Sequence, residues 1–223
     1  MLRGTRSGVA RRRGRINVAA GTNGAGKSVA IGAVAAETGG EYFNPDVRAR
    51  QFVVAGMAPE EAGAEAWKIG FATLRQSIAN HRDFSFETTL GGRSITEELH
   101  AAIEHGLDVC IWYVGLDSPE MHIERVRARV RRGGHDIPTA KIRERYPKSL
   151  ANLVSFIGKA AEIHVYDNSR ENEDGSPAAR LIFRMRERKL IYPDRATLLT
   201  TTPDWAKPLA AAALKVAAAR KKK

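Results

Sequence analysis

Cysteine, acidic residues near the start and long apolar runs are all scarce in this 223-residue chain. The one cysteine, Cys110, excludes a disulfide within the chain. Its place in the apolar run 107–114 reads as core filling in a reducing, cytosolic compartment. No apolar stretch approaches the ~18 residues that span a bilayer, so no membrane partner is expected. The start also lacks the apolar h-region of a secretory signal. No acid appears before Glu37, whereas Arg3, Arg6, Arg11, Arg12, Arg13 and Arg15 crowd that segment. Lys215, Arg220, Lys221, Lys222 and Lys223 close the chain, and the net charge is +11. Such ends read either as arms for nucleic acid or other anions, or as solvated, disordered tails. Gly4, Gly8 and Gly14, and the lack of an aromatic stacking surface, favour the second reading. An arginine-rich, acid-free start also resembles a transit peptide.

What is present is enough for a real core: 43% of the residues are hydrophobic, in a length that suits one α/β domain. The run 15–21 reads as a short buried strand ending in glycine, and 28–38 as a helix closed by Gly39-Gly40. A short strand at 41–43 is followed by Asn44-Pro45-Asp46, read as a turn. Pro59 opens a helix to about His81, with Ala62, Ala66, Ile69, Leu74 and Ile78 on roughly one face. Strand 83–87, helix 94–105 and strand 107–115 follow, the last apolar enough to be central. Ser118 and Pro119 are N-cap and N1 of a helix that stops at Gly133-Gly134. Further helices are expected from Thr139 to about Ala161 and from Trp205 to about Arg220, with strands at 163–166 and 181–185 and a polar loop at 171–177. Alternation of this kind predicts an α/β fold with a mostly parallel sheet covered on both faces.

The firmest motif is Gly21-Thr22-Asn23-Gly24-Ala25-Gly26-Lys27-Ser28, which fits G-x-x-x-x-G-K-[ST] without a mismatch, strand before and helix after. Glycines let the backbone curl so that several N–H groups point at phosphate oxygens. The following helix adds its positive end. Lys27 reaches the β- and γ-phosphates of ATP or GTP, and Ser28 offers a hydroxyl to Mg²⁺. There is no Walker B strand of the kind a motor ATPase needs, four apolar residues ending in Asp with a following Glu, and the most apolar run, 109–115, ends in Gly115. A small-molecule kinase, whose acceptor site supplies the base, fits better.

Phosphoryl transfer also needs a base and cations over the migrating charge. Asp46 follows the second strand, where an α/β sheet opens its crevice, and reads equally as a base or as a turn aspartate. Glu87 ends the next strand and suits Mg²⁺ or its water, while Thr88 and Thr89 suit the acceptor or are ordinary strand residues. Arg125, Arg129 and Arg132 recur at helical spacing, as in a lid whose cations close over phosphates, or simply as an exposed basic face. Arg127 and Arg131 lie off that face and read as solvated. His135, after the lid glycines, touches phosphate or caps the turn. Arg143 and Arg145, on the next helix, are further cation candidates. Asp167 and Asn168 end a strand and suit the base or sugar of the donor, or form an ordinary turn.

Taken in order, these residues resemble a known family. The series is Gly21 to Ser28, Phe43-Asn44-Pro45-Asp46, Phe86-Glu87-Thr88-Thr89-Leu90, Arg125 to Pro138, Arg145-Tyr146 with Ser149-Leu150 and Asn152-Leu153, then Asp167-Asn168-Ser169. It is similar to the zeta-toxin-like P-loop kinases, in the branch often labelled predicted ABC-type ATPase, over roughly residues 15–170. The resemblance implies a nucleotide-kinase-like three-layer sandwich. It implies ATP as donor, with Lys27 and Ser28 serving it and Arg125 and Arg129 as phosphate-facing cations. Asp46 would be the base, with Glu87 and Thr88 beside the acceptor. In zeta toxins proper the acceptor is a hydroxyl of a UDP-activated amino sugar, and an antitoxin protein holds the toxin inactive. This chain is shorter in the substrate region and shows no antitoxin segment. The expected organisation is a basic arm at 1–14, one kinase domain at 15–220 with a lid near 125–138, and a basic tail at 221–223. Two other readings stay open. One is a kinase for a nucleoside, dinucleotide or antibiotic; the other is a nucleotide-dependent switch or nucleic-acid-binding protein using the basic ends.

Overall fold

The computed structural model describes residues 13–27, 30, 42–173 and 176–220. The expected helix at 28–38, the Ser28 hydroxyl, the arm at 1–12 and the tail at 221–223 lie outside the described residues. Among the described residues seven strands form one sheet in the order β2-β3-β1-β4-β5-β6-β7. They are β1 Arg15–Ala20, β2 Tyr42–Phe43, β3 Phe84–Thr88, β4 Asp108–Gly115, β5 Glu162–Asp167, β6 Arg180–Arg186 and β7 Lys189–Tyr192. The first five are parallel and the last two antiparallel. The described helices are α1 Pro45–Val54, α2 Pro59–Ala79, α3 Arg93–Glu104, α4 Pro119–Arg131, α5 Thr139–Phe156, α6 Arg195–Thr201 and α7 Lys207–Arg220, with a 3-10 turn at Asp204–Ala206 before α7. The fold is mixed α/β with a mostly parallel sheet, and the apolar strand β4 is its middle strand, as its composition predicts.

Period-2 alternation divides the sheet. Ile16, Val18, Ala20, Val109, Ile111, Tyr113, Ile163 and Val165 face the large core with α2, α3, α5 and α7. Ala19, Cys110, Trp112 and Val114 face the other side with Ala25 and Ala30. Cys110 is buried and free, and burial pushes its thiol up to about 11, so it is packing rather than chemistry.

Two local expectations change. Asn44-Pro45-Asp46 is a helix start rather than a turn: the Asn44 Oδ1 accepts from the N–H groups of Asp46 (2.9 Å) and Val47 (3.1 Å), with Pro45 at the helix N-terminus. The helix from Thr139 ends at Phe156, short of Ala161. β7 and α6 were not expected from the sequence. β7 is reached through Glu187 and Arg188, both at left-handed φ (46° and 66°), in the two-residue hairpin turn.

Candidate active site

The parallel strands β1 to β5 all end at one edge, and every candidate residue described before Arg125 lies at or just beyond those ends. β1 has β3 on one side and β4 on the other, so the chain leaving β1 at Gly21 enters the crevice where strand order reverses. Gly21 N donates to the Thr88 carbonyl at 3.2 Å, extending the β1–β3 pairing by one residue before the loop turns away.

The loop's glycines are demanded by close approach. Gly21, Gly24 and Gly26 have φ of 142°, 85° and 79°. A Cβ at Gly21 would lie 2.2 Å from the Val114 carbonyl oxygen, and one at Gly26 would lie 2.4 Å from the Asn168 amide nitrogen.

Side chains from three elements hold the loop from outside. Asn168, fully buried after β5, donates to the Ala25 carbonyl at 2.8 Å. His122 of α4 bonds the Asn23 carbonyl through Nδ1 at 2.9 Å. A carbonyl only accepts, so the proton sits on Nδ1. Burial pulls this imidazole down to about 4, with Lys27 and Arg125 adding to the effect against the Asn23 bond, so it is neutral at pH 7. Arg145 of α5 donates to the Asn23 Oδ1 at 3.0 Å and packs its stem on Gly91. α5 also braces the loop after β3. Ser149 Oγ donates to the Thr89 carbonyl at 2.7 Å and lies 3.0 Å from the Tyr113 hydroxyl, while Asn152 donates to the Leu90 carbonyl at 2.8 Å. The family-pattern residues Arg145, Ser149 and Asn152 thus fix both loops to one helix.

Lys27 is 8% exposed, and its Nζ donates to the Gly21 carbonyl at 3.0 Å and pairs with the Glu87 Oε1 at 3.2 Å. The Glu87 Oε2 accepts from Asn44 Nδ2 at 2.8 Å and from the Tyr42 hydroxyl at 3.5 Å. Burial, then the Glu87 carboxylate, push the Tyr42 phenol above its ordinary value, so it stays a donor. Asp46 sits half-buried in the first turn of α1, and its carboxylate makes no hydrogen bond or ion pair with a described residue. Asp46, Glu87 and Lys27 are therefore joined through Asn44, which sequence reasoning gave no role. An N-cap asparagine before proline was the available signal.

Other candidates are placed differently. Thr88 and Thr89 hydroxyls accept from Leu90 N (3.1 Å) and Gly91 N (3.4 Å), shaping the turn. Arg125 is half-buried, and both of its terminal nitrogens are buried without a hydrogen-bond partner among the described residues. Its neighbours His122 and Val126 pack against Gly24, which puts the helix carrying it beside the loop. Arg129 donates to the His135 carbonyl at 2.7 Å, pinning the turn at Gly133-Gly134, and its Nε has no hydrogen-bond partner among the described residues. Arg132 is the exposed C-cap of α4, and the His135 side chain is exposed. Arg143 pairs with Glu120 at the surface (3.4 Å). The Asp167 Oδ1 accepts from Ser169 N, Ser169 Oγ and Trp205 Nε1, at 3.1, 2.6 and 3.3 Å. Asp167 and Asn168 thus turn their described contacts toward the protein, behind the loop.

Among the described residues no group of three or more His, Cys, Asp or Glu could hold a metal. Mg²⁺ in a phosphate-loop site needs no such cage, being held largely by phosphates, water and one or two side chains. Glu87, a carboxylate beside Lys27, fits that need. Nor is any described helix long and apolar enough to cross a membrane.

The fold and loop together define a protein of the P-loop kinase fold. The structure is similar over 93% of this chain to the crystal structure of AvrRxo1-ORF1:-ORF2 with ATP, covering 77% of that chain at a TM-score of 0.57 and 14% identity. It is also similar over 98% of this chain to a structure from the PezAT chromosomal toxin–antitoxin system of Streptococcus pneumoniae, covering 92% of that chain at a TM-score of 0.51 and 14% identity. No family model matches the sequence. An uncharacterized protein of Haemophilus influenzae (strain ATCC 51907 / DSM 11121 / KW20 / Rd) is 31% identical over 135 residues, 56% of this chain and 88% of that protein. The chain belongs to that protein's family.

Proposed function

We propose that this chain is a zeta-toxin-like kinase, one catalytic domain over residues 15–220 with a lid near 125–138. It transfers the γ-phosphate of ATP or GTP to a hydroxyl of a small molecule. A UDP-activated amino sugar such as UDP-N-acetylglucosamine is the acceptor that the family resemblance suggests. The observation that carries the reading is the pairing of a buried Lys27 in a glycine-cradled loop with buried Arg125 nitrogens that have no described partner. Buried guanidinium nitrogens left without a partner, as those of Arg125 are among the described residues, are costly, and an anion of high charge relieves that cost.

In this mechanism Asp46 takes the proton of the acceptor hydroxyl as its oxygen forms a bond to the γ-phosphorus and the bond to the leaving diphosphate oxygen breaks. Lys27 and Arg125 face the charge that collects on the transferring oxygens, with Arg129 and Arg132 on the lid behind them. Asn168 serves the donor by holding the loop in shape, and Asp167 by fixing the turn after β5 that carries Asn168. Bound Mg²⁺ would be held by Ser28 and Glu87 and would neutralise phosphate charge. Thr88, Thr89 and His135 border the acceptor side. The ATP in the AvrRxo1 structure and the toxin–antitoxin origin of the PezAT structure support a nucleotide donor and an antitoxin partner for this chain as well.

The test is a labelled-ATP transfer screen over UDP-sugars, nucleosides and dinucleotides, with Lys27→Ala as control. Label on one acceptor class, lost in Lys27→Ala, is the expected result. Label on no small molecule would overturn the kinase reading.

A further inference from the structure

Glu87 stands between the two halves of the site. One carboxylate oxygen lies 3.2 Å from Lys27 Nζ, and the other accepts from Asn44 Nδ2 at 2.8 Å. Asn44 turns its remaining polar atom the other way: Oδ1 accepts from Asp46 N and Val47 N at 2.9 and 3.1 Å. An unbroken series of polar contacts therefore runs from the loop lysine to the first turn of α1, where Asp46 sits. α1 depends on that tie because none of its residues is fully buried, and among the described residues its extensive packing is against α2 alone. Whatever displaces Asn44 displaces the turn that carries Asp46.

The contact between Lys27 and Glu87 competes with phosphate. A nucleotide phosphate arriving at Lys27 would stand beside the Glu87 carboxylate, and two anions at that separation repel unless a cation lies between them. The phosphate brings more charge than the carboxylate and gains the loop N–H groups as well, so it is the carboxylate that yields.

We infer that Glu87 occupies Lys27 as a stand-in for phosphate, and that Asn44 is a positioning residue that passes the exchange to Asp46. Nucleotide takes Lys27, Glu87 is released, and the Asn44 grip on the start of α1 is reset. The acceptor half is therefore completed only after the donor has bound, which makes binding ordered. The inference rests on the reading of Lys27 as the phosphate-binding lysine.

Hydrogen exchange at the Asp46 and Val47 amides, with and without ATP in EDTA, tests this without knowing the acceptor. ATP is expected to change the protection of these two amides in the parent chain. Glu87→Gln, which removes the competing charge but keeps the shape, is expected to bind ATP about fivefold tighter or more in EDTA and to lose that response. Asn44→Ser keeps an N-cap hydroxyl but not the reach to Glu87; it is expected to bind ATP while its amides stay silent. Equal amide responses in parent and both variants, or no gain in ATP affinity for Glu87→Gln, would overturn the inference. If Lys27→Ala binds ATP as well as the parent does, the reading of the loop falls and the inference falls with it.

Discussion

The loop at 21–27 and the α1 segment are joined through Glu87 and Asn44, yet they are built on opposite terms. The loop at 21–27 is tied by Asn168, His122 and Arg145 and backed by the fully buried Trp112 and Tyr113. α1 has no fully buried residue and shows Val47, Val53 and Val54 to solvent, the last 90% exposed. A phosphate chain is the same for every nucleotide, so its cradle is best made rigid and pre-organised. An acceptor differs from enzyme to enzyme, and on the proposed reading a lightly anchored α1 suits a change of specificity.

That contrast yields tests of falling size. Asp46→Asn is expected to cut transfer by about 10²–10⁴-fold while ATP binding, measured by calorimetry, stays at the parental level. Parental transfer in this variant would remove Asp46 as base and blur the division between the halves. Asn168→Ala acts on the other half. It leaves the buried Ala25 carbonyl without its donor and is expected to cost about 1–3 kcal/mol in urea unfolding, with weaker ATP binding. Stability unchanged in that variant would mean that the loop is not held as firmly as its contacts imply.

His122 sharpens the comparison through pH. Its imidazole, held by burial at about 4 when folded, titrates near 6.5 when unfolded. A depressed value means that the folded state prefers the neutral ring, so this stability is present above pH 6.5 and is lost as pH falls toward 4. Thermal melts across that window are expected to show the loss, and His122→Gln, which does not titrate there, is expected to flatten it. The smallest effect belongs to α1: Val54→Ser should change stability by less than about 0.5 kcal/mol, because its side chain is already in water. A larger loss would show that α1 buries Val54 against something in solution.

The same division governs what could be read from the sequence. β1, β4, α2 and α4 were legible because apolar periodicity, Pro59, Ser118 and the glycines mark them. The donor loop was legible because backbone geometry at Gly21, Gly24 and Gly26 leaves few other residues possible. α1 was not, because a helix with nothing buried has no apolar stripe to betray it. The hairpin joining β6 to β7 escaped because Glu187 and Arg188 adopt left-handed φ where Asn-Gly is the usual mark. Asn44, His122, Ser149 and Asn152 act across 43 to 99 residues of chain or through backbone carbonyls, and no spacing rule encodes such contacts.

The central place of β1 also bears on how the molecule assembles. β1 pairs on one side with β3 and on the other with β4, where Arg15 meets Asp108, a partner about 90 residues later in the chain. Closing loops of that length makes the middle of the sheet a late event in folding. The phosphate cradle hangs from the end of β1 and needs groups from α4, α5 and the turn after β5. A partly folded chain therefore lacks the finished cradle on which the proposed nucleotide binding depends. Nucleotide capture during refolding would then report the final stage of assembly, and a bound nucleotide would lock that stage by mass action.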